Sequence, residues 1–288
     1  MILVTGASGT VGKAVLDELH SLGGAPVRAM YRTAEDMTKA PPRVAAVSGD
    51  FSDRDSLRNA FAGIHTLFLV CSPIPQLTEL ESNAIDAAAA SGVKHVVLNS
   101  ALGAGKYDKS YPSWHHKVEV KLAASSLNYT ILRPNGFFQN ILAYDAGSIR
   151  SQNAFYGASA NGKVSILDVR DVAAVAARIL VSPQSHDLQT YELNGPEALS
   201  GADVASKLSE ILGRAIKYVD LADESFSKAL GGAGLPEWQV QALLELQQYF
   251  RSGRCGDVTS VLEDLLGRPP VRLSEFLNQH RSAFQRQP

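Results

Sequence analysis

Cysteine is nearly absent. The 288 residues include two, Cys71 and Cys255. Two thiols cannot staple a fold, and so sparse a pair fits a reducing compartment, which makes the cytoplasm the expected location. No apolar run approaches the roughly 20 residues that span a bilayer. The N-terminus lacks a basic stretch followed by an apolar segment and a cleavage site, so neither a secretory leader nor a membrane association is expected. An excess of charge is missing as well: 27 Lys and Arg against 29 Asp and Glu leave a net −2. Nucleic acid is therefore not expected as a partner, because binding a phosphate backbone needs a strong basic surplus. No Gly-x-Ser-x-Gly elbow and no paired Cys or His-x-x-x-His spacing occurs, so neither serine-hydrolase chemistry nor a metal is expected.

What is present is an ordinary globular composition, 45% hydrophobic and 19% charged, on a chain long enough for a large core. Short continuous apolar runs alternate with helical patterns. Ile2-Leu3-Val4, 27–31, 44–47, 66–70, 95–98 and 129–132 read as strands. Residues 11–22, 77–90 and 114–124 read as helices, the first with Val11, Val15, Leu19 and Leu22 on one face. Apolar strands alternating with helices predict an α/β fold, a doubly wound parallel sheet covered on both faces. After Asn135 the rhythm changes. Residues 164–167 and 191–193 read as strands, and 171–180, 201–212, 236–250 and 273–284 as helices. The expected organisation is a nucleotide-binding domain over 1–150 and a smaller helix-rich C-terminal subdomain over 151–288. The latter partly completes the sheet and covers a substrate pocket.

Gly6, Gly9 and Gly12 stand three apart, after the first strand and at the opening of the first helix. The first glycine permits a sharp turn, the second a close approach to a pyrophosphate, the third tight packing of helix on strand. The helix N-terminus then offers free amides and a positive dipole end. A phosphate-binding P-loop fails at Ala7 and Ala14. At the end of the second strand no acid stands ready for a ribose 2′-hydroxyl. Arg32 stands there instead, and a guanidinium matches a 2′-phosphate, so NADP(H) is expected over NAD(H); the alternative is a solvated surface arginine. Asp50 and Phe51 follow the third strand, where they are placed to meet the adenine. Asp50 serves equally well as a turn or N-cap residue.

Taken together, these residues resemble the NmrA-like branch of the atypical short-chain dehydrogenases/reductases, which share the Rossmann fold. The resemblance rests on Thr5 to Gly12, Val27 to Arg32, Gly49-Asp50-Phe51, Tyr129 to Asn135 with Phe137, Phe138 and Asn140, Asp168 to Ala173, Leu193 to Pro196 and Gly267 to Pro270. It implies that Ser8, Thr10 and Val11 join the glycines at the pyrophosphate. It also implies that Cys71, Ser72 and Pro73 pass the nicotinamide ribose, and that Ser100, Pro134 and Asn135 flank the nicotinamide. Lys117 resembles the family lysine that bonds the nicotinamide ribose; Lys117, Lys121 and Ser125 also read as a solvated helical stripe. Four residues before Lys117, where the wider superfamily carries a Tyr proton donor, this chain has Ser113, and Tyr107 and Tyr111 are off register. His115 is the candidate replacement donor, unless it and His116 form a helix-surface pair. Family members include reductases of quinones and dyes, biosynthetic tailoring reductases and redox-sensing regulators. The expected function is therefore hydride transfer from NADP(H) to a quinone-like or carbonyl small molecule. The alternatives are a non-catalytic NADP(H) sensor acting through a protein partner, or a tailoring step in a biosynthetic pathway. The sequence leaves the assembly open, with a homodimer as one form it allows.

Overall fold

The computed structural model describes residues 1–285. Its strands are β1 (Ile2–Val4), β2 (Val27–Tyr31), β3 (Ala45–Ser48), β4 (Thr66–Leu69), β5 (His95–Asn99), β6 (Asn128–Pro134), β7 (Ala154–Gly157), β8 (Gln189–Leu193) and β9 (Lys217–Asp220). Seven of them form one sheet in the order β3-β2-β1-β4-β5-β6-β8, while β7 and β9 pair separately. The chain divides into two compact units. The first holds Met1–Asp108, Pro112–Pro134 and Val169–Glu192; the second holds Lys109–Tyr111, Asn135–Asp168 and Leu193–Pro288. Among the described residues no helix is long and apolar enough to cross a membrane.

The first unit is the doubly wound fold. The pairings along β3-β2-β1-β4-β5-β6 are all parallel. β1, β4 and β5 are buried along their whole length. That explains their uninterrupted apolar sequence, since both faces are covered. Leu3, Leu67, Leu69, Val96 and Leu98 pack with Leu57, Phe61, Ile85, Val118 and Leu122 in one core. Each such side chain contributes about 1.5–3 kcal/mol on full burial.

Helix Thr10–Leu22 buries Val15, Leu16 and Leu19. Leu22, expected on the same face, is 51% exposed. The helix ends there on Gly23, whose N–H donates to the Leu19 carbonyl. Two polar side chains fix the frame. The Thr5 hydroxyl lies 3.1 Å from the Phe68 carbonyl and accepts the Val70 N–H at 2.9 Å, stitching β1 to β4. Arg28 reaches from β2 to the Ala60 and Ala62 carbonyls at 2.8 and 2.9 Å, covering the C-terminus of helix Arg54–Phe61. The order reverses between β1 and β4, and in such sheets ligands bind outside the carboxyl ends of the strands at that point.

The second unit packs Phe138, Ile149, Phe155, Leu208, Leu273, Phe276, Leu277 and Phe284 around its own core. The expected strand at 164–167 does not form. Only single bridges occur, Val164 to Leu199 and Phe137 to Leu167. Gly195 presses against this segment so closely that a Cβ there would stand 1.8 Å from the Ile166 carbonyl oxygen. The helical pattern at 273–284 breaks at His280 into Leu273–Gln279 and Arg281–Phe284.

Candidate functional site

The carboxyl end of β1 turns at Gly6, whose φ of +55° favours a residue without Cβ. A Cβ on Gly6 would also meet the Val70 carbonyl oxygen at 2.8 Å. At Gly12 a Cβ would lie 2.2 Å from the Gly6 carbonyl oxygen, so the helix can touch the turn only because Gly12 has no side chain. Gly9 differs. Its Cβ would meet nothing closer than the Gly6 oxygen at 3.3 Å. Gly9 is the N-cap, makes no side-chain cap bond, and is followed by a first turn without an acid. Ser8, Gly9 and Thr10 are exposed and Val11 half-buried. The first intrahelical bond to the cap is Lys13 N–H to the Gly9 carbonyl. The amides of residues 10–12 therefore stay available at the positive end of the helix. An open, uncapped, acid-free first turn fits a pyrophosphate.

Arg32, just past β2, is exposed and has no hydrogen-bond or ion-pair partner among the described residues. Its charge adds to the hydrogen bonds that hold Asp36 and Asp50 below the usual carboxylate range. It thus lies beside the ends of β2 and β3, free to take a phosphate. Asp50 is chiefly a turn residue. Its Oδ1 accepts the Ser52 N–H at 2.8 Å and the Ser52 hydroxyl at 2.6 Å, and these bonds dominate its lowered pKa. The half-buried Phe51 ring packs on the core, and its carbonyl accepts Asn83 Nδ2 at 3.1 Å.

Past β4, Ser72 and Pro73 are exposed and Cys71 half-buried. Burial, with the Glu81 carboxyl as the second cause, pushes the Cys71 thiol up to about 12. Little of the thiolate, which is the reactive form, is then present at pH 8. Iodoacetamide is expected to label Cys71 slowly in the native protein and quickly in urea. Fast native labelling, located by peptide mapping, would contradict that environment.

Past β5, the Ser100 hydroxyl turns into the fold and donates to Glu119 Oε1 at 2.6 Å. Glu119 also accepts Arg133 Nε at 2.9 Å and Nη2 at 2.6 Å. Arg133 lies 3.5 Å from Glu192, which pairs with Lys106 at 2.6 Å. This chain of charges ties the ends of β5, β6 and β8 together. Ser100 therefore brings its main chain, with its side chain already committed, to the carboxyl end of the sheet. Pro134 is buried, and its carbonyl accepts the Leu102 N–H at 2.9 Å.

Helix Ser110–Ala123 sorts the remaining candidates. His115, Val118, Glu119 and Leu122 are buried. His115 is thus on neither the surface nor an open face. Burial lowers its pKa to about 4, and its Nδ1 has no hydrogen-bond partner. A neutral, enclosed imidazole is a poor store of protons at neutral pH, which corrects the expectation of an accessible donor. Lys117 sits about 200° around the helix from His115. It is exposed and unpaired among the described residues, on the side that Ser113 shares. Asn135 belongs to the second unit, where its side chain makes three hydrogen bonds. Nδ2 donates to Asn194 Oδ1 and the Cys255 carbonyl, and Oδ1 accepts the Gly136 N–H. Both Nδ2 protons are thus spent inside the unit, where the amide anchors the start of the Asn135–Asp168 segment.

Sequence reasoning missed Glu119, Arg133, Glu192 and Glu81. It also missed Asp145 of the second unit, which closes the five-residue π-helix Ile141–Asp145. Burial raises its carboxyl to about 7. Short π-helical turns are frequent at functional sites. Glu119 carried one legible signal, standing four residues after His115 on the same helical face.

A family model described as NAD(P)H-binding matches residues 6–183. The NAD(P)H azoreductase of Xenophilus azovorans is 34% identical over 99% of this chain and 99% of its own. The crystal structure of an NADPH-dependent quinone oxidoreductase from Escherichia coli, complexed with NADPH, superposes with a TM-score of 0.90. It is 30% identical and covers 98% of this chain and 100% of that one. NmrA, a negative transcriptional regulator in complex with NADP, superposes with a TM-score of 0.77 over 96% of this chain and 94% of its own. Its 16% identity makes it a likeness of fold alone.

Proposed function

Because the chain belongs to the NAD(P)H-binding family, we propose that it is an NADP(H)-dependent oxidoreductase that reduces quinone-like, azo or carbonyl small molecules. The observation that carries this is the uncapped first turn behind Gly9, open to a diphosphate. In this role the amides of residues 10–12 and the Ser8 and Thr10 hydroxyls bind the pyrophosphate. Arg32 pairs with the 2′-phosphate. The segment Cys71–Pro73 and the main chain at Ser100 and Pro134 wall the nicotinamide, and Lys117 stands ready for the ribose.

The bound cofactor supplies the hydride. The protein's work is alignment and exclusion of water. The sheet ends are held for this by the Ser100–Glu119–Arg133 bonds. An acceptor that takes a hydride and a solvent proton needs no dedicated Tyr, in keeping with Ser113. The second unit supports a flat apolar acceptor, since its helix Glu237–Arg251 fully buries Ala242 and Tyr249 but leaves Trp238, Leu243, Leu246 and Phe250 half-buried. The near-neutral charge and two free thiols support a cytoplasmic enzyme without a nucleic-acid partner.

The test is loss of nicotinamide absorbance when protein, NADPH and a panel of quinones and azo dyes are mixed. Tight NADPH binding with no turnover on any acceptor would replace the enzyme by a cofactor sensor. Arg32→Ala is expected to weaken NADPH binding on the order of 10–100-fold, the worth of one or two charge-assisted bonds. NADH binding should change less than about threefold. An equal loss for both would remove the 2′-phosphate from Arg32.

A further inference from the structure

His95 opens β5 at the amino end of the sheet, where it is buried. The segment 183–188, which leads into β8, is fastened beside it. Thr130 of β6 donates its hydroxyl proton to the His186 carbonyl at 2.7 Å, and the Leu188 N–H donates to the Tyr129 carbonyl at 2.7 Å. Leu188 is held at a φ of +56°, a conformation that persists only where its surroundings enforce it. A hydroxyl has one proton, and Thr130 spends it on His186, so toward His95 its oxygen can only accept. Nε2 of His95, 2.8 Å from that oxygen, therefore carries the ring proton when the imidazole is neutral. Nδ1 is then a bare acceptor. It faces Asp187 Oδ1 at 3.8 Å, a buried oxygen with no hydrogen-bond partner among the described residues.

We propose that His95 and Asp187 form a proton switch beneath the segment 183–188: with the ring neutral they oppose each other as two acceptors, and a proton taken up at Nδ1 joins them as an ion pair. None of these residues is among those assigned to the cofactor. The charges that act on His95 are those of Asp187 and His186, and the His186 ring is itself bonded to the Tyr191 hydroxyl at 3.0 Å. Helix Val169–Val181 also packs on β5, and its Arg170, Asp171 and Arg178 do not act on the ring. Burial, the largest cause, lowers the pKa of His95, and the charge of Asp187 raises it in part. A histidine with a lowered folded pKa contributes stability that is complete above its unfolded value and is lost as pH falls through that value toward the folded one. Asp187 limits that loss, because it meets the buried imidazolium with a counter-charge. At high pH the same carboxylate gives the bare Nδ1 nothing to accept.

The experiment compares the full-length protein with Asp187→Asn, a change at a partly exposed side chain. Long-range 1H–15N spectra of the histidine rings are expected to show the Nε2–H form of His95 at pH 8. An asparagine can turn its Nδ2 to the ring and donate to Nδ1 in the neutral state, but it offers an imidazolium no charge. Tm of Asp187→Asn is therefore expected to lie above that of the wild type at about pH 8 and below it at about pH 5. His95 in the variant should stay neutral at a pH where the wild-type ring is already half protonated. At about pH 5 the Leu188 amide should exchange about 2–5-fold faster in the variant, the worth of a partly exposed ion pair. An Nδ1–H ring in the wild type at pH 8, or Tm curves that do not cross, overturns the proposal.

Discussion

Glu119→Ala is expected to lower the stability of the protein by about 3–5 kcal/mol, the usual effect of removing one partner of a buried ion pair. The Glu119 side chain is 6% exposed and that of Arg133 18%. The substitution would leave the guanidinium enclosed without its two-pronged acceptor, and the Ser100 hydroxyl without its partner. Glu192, at 3.5 Å from Arg133, would recover part of the loss, but it already holds Lys106. Replacing both residues by methionine is expected to be far milder than either single change, because no buried charge is then stranded. The measurement is the urea midpoint of the two single variants and the double variant. A cost below about 1 kcal/mol for Glu119→Ala would mean that water reaches Arg133 and that the pair behaves like a surface bridge. The three sheet ends would then be held by their ladders alone.

The second large effect separates two glycines three residues apart. Gly12→Ala is expected to prevent correct folding, because a Cβ 2.2 Å from the Gly6 oxygen must displace main chain that β1 and β4 hold in place. Gly9→Ala is expected to leave the fold and Tm near wild type. Its φ of −83° suits any residue, and its Cβ meets only the Gly6 oxygen at 3.3 Å. NADPH affinity should nevertheless fall about 10–100-fold, since the new methyl stands where the pyrophosphate must approach the amides. Circular dichroism and calorimetric titration of both variants test the pair. Normal binding by Gly9→Ala would move the diphosphate away from this turn.

The sheet was legible because burial on both faces leaves a signature in consecutive residues. Ile2-Leu3-Val4 needs no partner to be recognised. β7 and β9 left no such signature. Ala154–Gly157 and Lys217–Asp220 are short and partly polar, and they pair across some sixty residues of chain. The run at 164–167 was apolar for another reason: Val164 and Leu167 fill the second unit, and the close passage of Gly195 takes the place of a ladder.

At the site, the glycine turn and Arg32 could be read from position relative to a strand. Glu81 and Arg133 could not, since each looks like an ordinary helical or strand-end charge until burial is known. Asn135 shows the converse. It lies in a motif that the resemblance links to the cofactor, while its Nδ2 donates to Asn194 and to the Cys255 carbonyl, bonds that the sequence does not foretell. Lys117 kept its sequence neighbours but lies on the open side of its helix.

The segment Val169–Glu192 returns to the first unit after the chain has built part of the second. Its helix Val169–Val181 packs on helix Thr10–Leu22, and the strand it feeds lies beside β6. A gene fragment ending near codon 150 would therefore encode a sheet with a bare outer edge and an uncovered apolar flank, both open to aggregation. Recombination between relatives faces the same geometry. A chimera made with one crossover before residue 192 mixes two parents inside the first unit, one made beyond it mixes them inside the second, and exchanging the second unit whole requires several breakpoints.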